Sequence, residues 1–272
     1  MEQQSKRGSG RYALITGGTS GIGYELAKLF AQDGYNLIIV ARTESDLANV
    51  AGELNEAYGV NVVPMATDLF NPDNAFSLYR EVIQSGFEID VLVNNAGQGH
   101  YGQFVDTDLQ QEIAIIQLNI VSLVILTKQF LKDMVVRGSG RILNLSSIAS
   151  KVPGPWQAVY HGTKAFVQSF TEAIRNEVKD TGVSITALLP GATDTDFFNK
   201  AGMLNSKVVQ ENKLDDPAKV AKDGYDALMS GDDMVVSGIK NKVQVAMSNV
   251  MSDEFVAERM NQQQKPSNGD KE

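Results

Sequence analysis

The segment that most restricts the fold is Tyr12-Ala-Leu-Ile-Thr16, which runs directly into Gly17-Gly18-Thr19-Ser20-Gly21-Ile22-Gly23 and then into a helical pattern from Tyr24 to Ala31. The apolar run reads as a buried strand, and the glycines after it as a tight strand-to-helix turn. At such a turn the helix N-terminus presents free N–H groups and the positive end of its dipole. Small side chains let a pyrophosphate approach the backbone. The glycine spacing differs from the G-x-G-x-x-G fingerprint, so taken alone the turn is a weak signal.

The same alternation continues along the chain. Strand-like runs at 36–40, 61–66, 89–93, 141–145, 183–189 and 234–236 are separated by helical stretches, which predicts βαβ units and an α/β fold with a parallel sheet. With 272 residues, 43% apolar and 21% charged, the chain has the composition of a globule with a substantial core. No internal boundary is visible, so residues 11–260 read as one domain. Residues 1–10 and 261–272 read as polar, disordered ends, and 240–260 as an added helix with apolar Val243, Val250, Met251 and Val256.

Several classes of function fall away on composition. A net charge of −9 disfavours nucleic acid and an anionic membrane as partners. The absence of cysteine removes disulfides and thiolate metal sites, and two distant histidines, His100 and His161, argue against a metal centre. The first residues lack the apolar core of a signal peptide, and no uninterrupted apolar run reaches the ~18 residues of a membrane span. A cytoplasmic location is the expectation.

The chemistry points to Tyr160 and Lys164. Four residues apart on a helix, they share one face, and a neighbouring cation is expected to lower the phenol pKa from its usual value of about 10. Ser147 ends the strand-like run from Arg141 and offers a hydroxyl to a carbonyl oxygen. Further small and amide residues follow strands: Asn94-Asn95-Ala96-Gly97 after 89–93, and Pro190-Gly191-Ala-Thr193-Asp-Thr195 after 183–189. Asn119 stands inside an otherwise apolar helix.

In this order, these segments resemble the short-chain dehydrogenase/reductase family, in its single-domain branch, from about Arg11 to about Ser237. The resemblance implies a Rossmann-type doubly wound parallel sheet of about seven strands with helices on both faces. It implies that Thr16, Gly17, Thr19, Ser20, Gly21, Ile22 and Gly23 form the cofactor turn, and that Asp68 and Leu69 lie near the adenine. Asn95, Ala96 and Gly97 would run along the cofactor ribose, and Pro190, Gly191, Thr193 and Thr195 would hold the nicotinamide carboxamide. Asn119, Ser147, Tyr160 and Lys164 match the catalytic tetrad. For Asn119 the family implies a locally perturbed helix whose backbone carbonyl holds a water in a proton relay; the alternative is a satisfied core amide.

Cofactor choice turns on the end of the second strand, where Ala41-Arg42-Thr43 carries no acid. A guanidinium there accommodates the 2′-phosphate of NADP(H), with Ser20 and Thr43 as hydroxyl donors. The expected activity is hydride transfer between NADP(H) and a ketone or aldehyde, with Tyr160 as general acid/base. A non-catalytic NADP-binding sensor or scaffold is the alternative, and an epimerase or dehydratase would need a larger C-terminal domain. Gln98, Ser147, Trp156, Tyr160 and Phe197 are the candidate substrate contacts, and Trp156, Phe197, Phe198, Met203 and Leu204 suggest either an apolar pocket under a mobile lid or ordinary packing. The run Ile113 to Leu126 is apolar around nearly its whole circumference. It fits burial within the monomer or a subunit interface; the family resemblance implies a homodimer or homotetramer.

Overall fold

The computed structural model describes residues 10–211, 213–248 and 251–267. Seven strands, β1 (Tyr12–Thr16), β2 (Asn36–Ala41), β3 (Val62–Ala66), β4 (Ile89–Asn94), β5 (Gly140–Leu145), β6 (Val183–Leu189) and β7 (Met234–Val236), form one sheet in the order 3-2-1-4-5-6-7. All six pairings are parallel. The helices are α1 (Gly21–Gln32), α2 (Glu44–Tyr58), α3 (Pro72–Gln84), α4 (Leu109–Ile116), α5 (Leu123–Arg137), α6 (Ala158–Glu177), α7 (Phe197–Lys200), α8 (Lys207–Gln210), α9 (Pro217–Ser230), α10 (Ile239–Ser248) and α11 (Asp253–Gln264). The fold is the doubly wound, single-domain sheet expected from the sequence.

Strand alternation feeds two cores. Ala13, Ile15, Leu37 and Ile39 pack with Leu26, Phe30 and Leu228 on one face, while Leu14, Ile38 and Leu92 pack with Leu78, Phe130 and Met134 on the other. A parallel sheet covered in this way needs apolar residues on both faces, which is why its central strands read as continuous apolar runs. Helix starts follow local chemistry: Asn71 accepts from Asp73 N before Pro72, and Asp216 accepts from Ala218 N before Pro217.

Between α4 and α5 the chain continues as a π-helical turn, Gln117–Ser122. Within the 109–137 run an 18-residue stretch has a mean hydropathy of 1.7, so by length and composition alone the run could cross a bilayer. Here Leu118, Leu126, Phe130 and Met134 are buried in the second core. Its outer side leaves Leu109, Ile113 and Ile116 exposed, and Phe166 of neighbouring α6 is exposed as well.

The C-terminal region departs from expectation. In place of one helix over 240–260 there are two, because Ser252 caps a new helix by accepting from Phe255 N. Residues 261–264 belong to α11, and Pro266 forms a β-bridge with Ser206, so the disordered tail expected from 261 does not begin there. Long-range contacts supply order that the polar composition of 261–267 does not advertise. The expected disorder of residues 1–9 and 268–272 lies outside the described residues.

Candidate active site

Parallel strands all present their C-terminal ends to one edge of the sheet, and ligands bind there beside the point where strand order reverses. Here the reversal lies between β1 and β4, and a cleft of about 480 Å³ opens along that edge.

One end of the cleft is the glycine turn. Gly17 and Gly21 adopt φ of +66° and +55°, and a Cβ on Gly23 would lie 2.2 Å from Gly17 O. Glycine is therefore required for the turn to close against Asn95, whose Nδ2 donates to Thr16 O and Gly17 O, both at 2.9 Å. Thr16 sits behind the cleft, its Oγ1 accepting from Asn95 N and Ala96 N at 3.0 Å. Gly23 likewise packs behind it. Gly17, Thr19, Ser20, Gly21 and Ile22 line it, as do Asp68, Leu69, Asn95, Ala96 and Gly97.

These residues fit a dinucleotide phosphate. Ser20 and Thr43 occupy the N-cap positions of α1 and α2, yet neither side chain bonds to its helix, which leaves both hydroxyls for another partner. Arg42 follows β2 with its guanidinium 5.1 Å from the centre of the Phe70 ring, and no carboxylate pairs with it among the described residues. A cation held over an aromatic face and lacking an anion suits a ribose phosphate.

The other end holds the candidate proton-transfer groups. Ser147 follows β5, and Tyr160 and Lys164 project from α6; all three line the cleft. Ser147 lies within hydrogen-bonding reach of the Tyr160 phenol, which lowers its pKa, but burial is the larger effect and pushes it up to about 12. The net downward shift expected from Lys164 is thus corrected. The Lys164 ammonium lies 5.8 Å from the Tyr160 ring centre and donates to Leu145 O at 2.8 Å, and its own burial pushes its pKa down to about 8. Burial moves each group toward its neutral form, and Lys164 at about 8 is still mostly a cation at neutral pH.

Asn119 lies behind the cleft, 1% exposed, within the π-helical turn. Its Nδ2 donates to Gln98 O and Thr163 Oγ1, and its Oδ1 accepts from Gln98 N. The helix is perturbed as expected, and the side chain is also a satisfied core amide. The helical perturbation and the satisfied amide are thus both present. Gly97 joins the groups, since a Cβ there would stand 3.3 Å from Asn119 Oδ1 and 3.4 Å from Lys164 Nζ.

Residues 11–204 match the family model for short chain dehydrogenases. The chain belongs to that family. Among curated relatives of this short-chain dehydrogenase are very-long-chain 3-oxoacyl-CoA reductases. That of Laccaria bicolor is 36% identical over 183 residues, covering 66% of this chain and 54% of the relative. That of Rattus norvegicus is 35% identical over 185 residues, 66% of this chain and 59% of the relative. The chain thus spans little more than half the length of these relatives. Among solved structures, a short-chain dehydrogenase from Sphingobium yanoikuyae in complex with NADPH superimposes with a TM-score of 0.79 at 26% identity, over 89% of this chain and 96% of that one.

In this short-chain dehydrogenase Pro190, Gly191, Thr193 and Thr195 line the cleft, as do Gln98 and Phe197. Phe197 is tilted against Tyr160, with ring centres 5.1 Å apart. Trp156 stands beside the cleft, outside its lining. It adopts φ of 70°, rare for a large side chain, stacks on Tyr101, and donates from Nε1 to Asn261 Oδ1 at 2.9 Å. It anchors α11. Sequence reasoning missed that helix as a wall: Arg259, Met260, Gln263 and Gln264 line the cleft, as do Lys240, Asn241 and Gln244 of α10.

Proposed function

We propose that this chain is an NADP(H)-dependent oxidoreductase that interconverts a ketone or aldehyde and the corresponding alcohol. The observation that carries the reading is the two-ended cleft, with Arg42 beside the phosphate turn at one end and Ser147, Tyr160 and Lys164 at the other.

The dihydronicotinamide, when bound, supplies the hydride that reaches the carbonyl carbon. As negative charge develops on the carbonyl oxygen, Tyr160 donates its phenolic proton to it and the Ser147 hydroxyl hydrogen-bonds to it. A phenol pushed up to about 12 is held in its protonated form at neutral pH, which suits the reductive direction. Lys164, adjacent to Gly97 and Tyr160, is the cation that stabilises the phenolate left behind, and it would also hold the ribose hydroxyls. Asn119 fixes Gln98 and Thr163, and so the facing walls of the catalytic end.

The relatives that act on 3-oxoacyl-CoA and the NADPH complex support a carbonyl substrate and NADP(H). The apolar side chains Phe197, Phe198, Met203 and Val208 favour a substrate with a hydrophobic body. A binding-only sensor has no use for a transferable phenolic proton. The test is NADPH oxidation, followed at the nicotinamide absorbance, across a panel of aliphatic, aromatic and cyclic ketones and aldehydes. Turnover of at least one supports the reading, and tight NADPH binding with no turnover across the panel favours the sensor.

A further inference from the structure

The C-terminal helix α11 lies beyond the residues that match the family model, yet it reaches the catalytic helix. Gln264 is 4% exposed, and its Nε2 lies 3.0 Å from His161 Nε2, next to Tyr160 in sequence. The carbonyls of Val152 and Ala149 and the amide of Gln264 face the His161 ring, and one arrangement satisfies the two short contacts, Val152 and Gln264, together. Its Nδ1 faces Val152 O at 2.9 Å, and a carbonyl can only accept, so Nδ1 carries the proton. Nε2 is then the acceptor and takes an N–H from the Gln264 amide. This fixes the amide's orientation and leaves Gln264 Oε1 as a buried acceptor with no partner.

Such an orphan costs roughly 1–3 kcal/mol when left unmatched in the bound state. A second one shares the cleft: Gln157, 5% exposed, has an unpartnered Nε2. Both residues line the cleft, in company with Phe197, Phe198, Met203 and Met260. Helix α11 is held there at several points: Trp156 to Asn261, Tyr101 Oη donating to Gln264 O at 2.6 Å, and Lys207 N donating to Lys265 O at 3.1 Å. The amide is therefore held in place, with Oε1 just beneath the cleft surface, and a ligand reaches it when the adjoining lining shifts.

We infer that Gln264 is a substrate-binding residue whose Oε1 accepts a hydrogen bond from a hydroxyl on the substrate, so that the preferred substrates are hydroxylated carbonyl compounds with an apolar body. The carbonyl part of this statement rests on the reductase reading; the hydroxyl part does not.

The probes are two matched pairs, propiophenone with β-hydroxypropiophenone and acetophenone with α-hydroxyacetophenone. Trp156 is the sole tryptophan of the chain and is tied to α11, so its emission reports binding without cofactor or turnover. The expected result is at least roughly tenfold tighter binding of the hydroxylated member of one pair, as one such hydrogen bond gives. Gln264→Met should abolish that preference and leave the plain ketone within about twofold. Gln264→Glu keeps an acceptor oxygen and should retain the preference, which covers the case in which the Met variant loosens α11. Equal affinity within both pairs, including no binding of any member, overturns the inference, and so does a preference that survives Gln264→Met or is lost in Gln264→Glu. Failure of the reductase reading would show separately, as absence of NADPH oxidation while the binding preference persists.

Discussion

Replacing Arg42 with Ala removes the one cation positioned at the end of β2, and the size of the effect can be worked out from its surroundings. The side chain is exposed and touches the Phe70 ring through a cation–π contact at 5.1 Å. That contact contributes about 0.5–1 kcal/mol at an exposed site, which bounds the stability loss and keeps the fold intact. Charge-assisted hydrogen bonds to a 2′-phosphate contribute about 1.5–3 kcal/mol, so kcat/KM for NADPH should fall by roughly ten- to a hundredfold. NADH lacks that phosphate, and its kcat/KM should change by less than about threefold on the same scale. The assay is steady-state kinetics with both cofactors and one carbonyl substrate, wild type against variant. An unchanged preference in Arg42→Ala, or a wild type that prefers NADH, refutes the reasoning.

Other outcomes follow from the same geometry. Gly23→Ala puts a methyl 2.2 Å from Gly17 O, a backbone atom that cannot swing aside, and should abolish NADPH binding by calorimetry or leave the chain unfolded; retained affinity contradicts the tight turn. Burial pushes Lys164 down to about 8 from its ordinary 10.5, so the unfolded chain holds this proton longer and stability should rise with pH from 8 to about 9, above which the buried tyrosines, raised above 10, oppose the rise. Thermal melts of wild type and Lys164→Met across that window check it: the rise should vanish in the variant. Light scattering should give a mass at least twice 29.5 kDa, with Ile116→Asp reducing it, because Leu109, Ile113, Ile116 and Phe166 expose apolar surface on adjoining helices; a monomer at micromolar concentration rejects this.

What could be read from the chain and what could not divides by sequence separation. The strand ends, the glycine turn and the Tyr160–Lys164 pair are local patterns; strand–helix alternation pointed to a parallel sheet, and its doubly wound arrangement came from the family resemblance those patterns carry. The cleft wall formed by α11 was hidden because its contacts join residues such as His161 and Gln264, 103 apart, and the segment 261–267 is polar enough to pass for a tail. Trp156 looked like a substrate contact by position; its left-handed backbone turns it toward Asn261. The pKa of Tyr160 could not be foreseen, because proximity to Lys164 was legible and the burial that outweighs it was not. Asn119 combined both kinds: its polar character in an apolar helix was visible, while the π-helical turn and the bonds to Gln98 and Thr163 needed the fold.

The central claim is that Tyr160 delivers the proton in an NADPH-dependent reduction, and Tyr160→Phe tests it most directly. The substitution keeps the ring that packs on Phe197 and removes only the hydroxyl. Measured on a substrate drawn from the carbonyl panel, NADPH oxidation should fall by at least roughly a hundredfold, as loss of a general acid does, with the NADPH dissociation constant unchanged within about twofold. A variant that keeps a tenth or more of wild-type turnover would contradict the account.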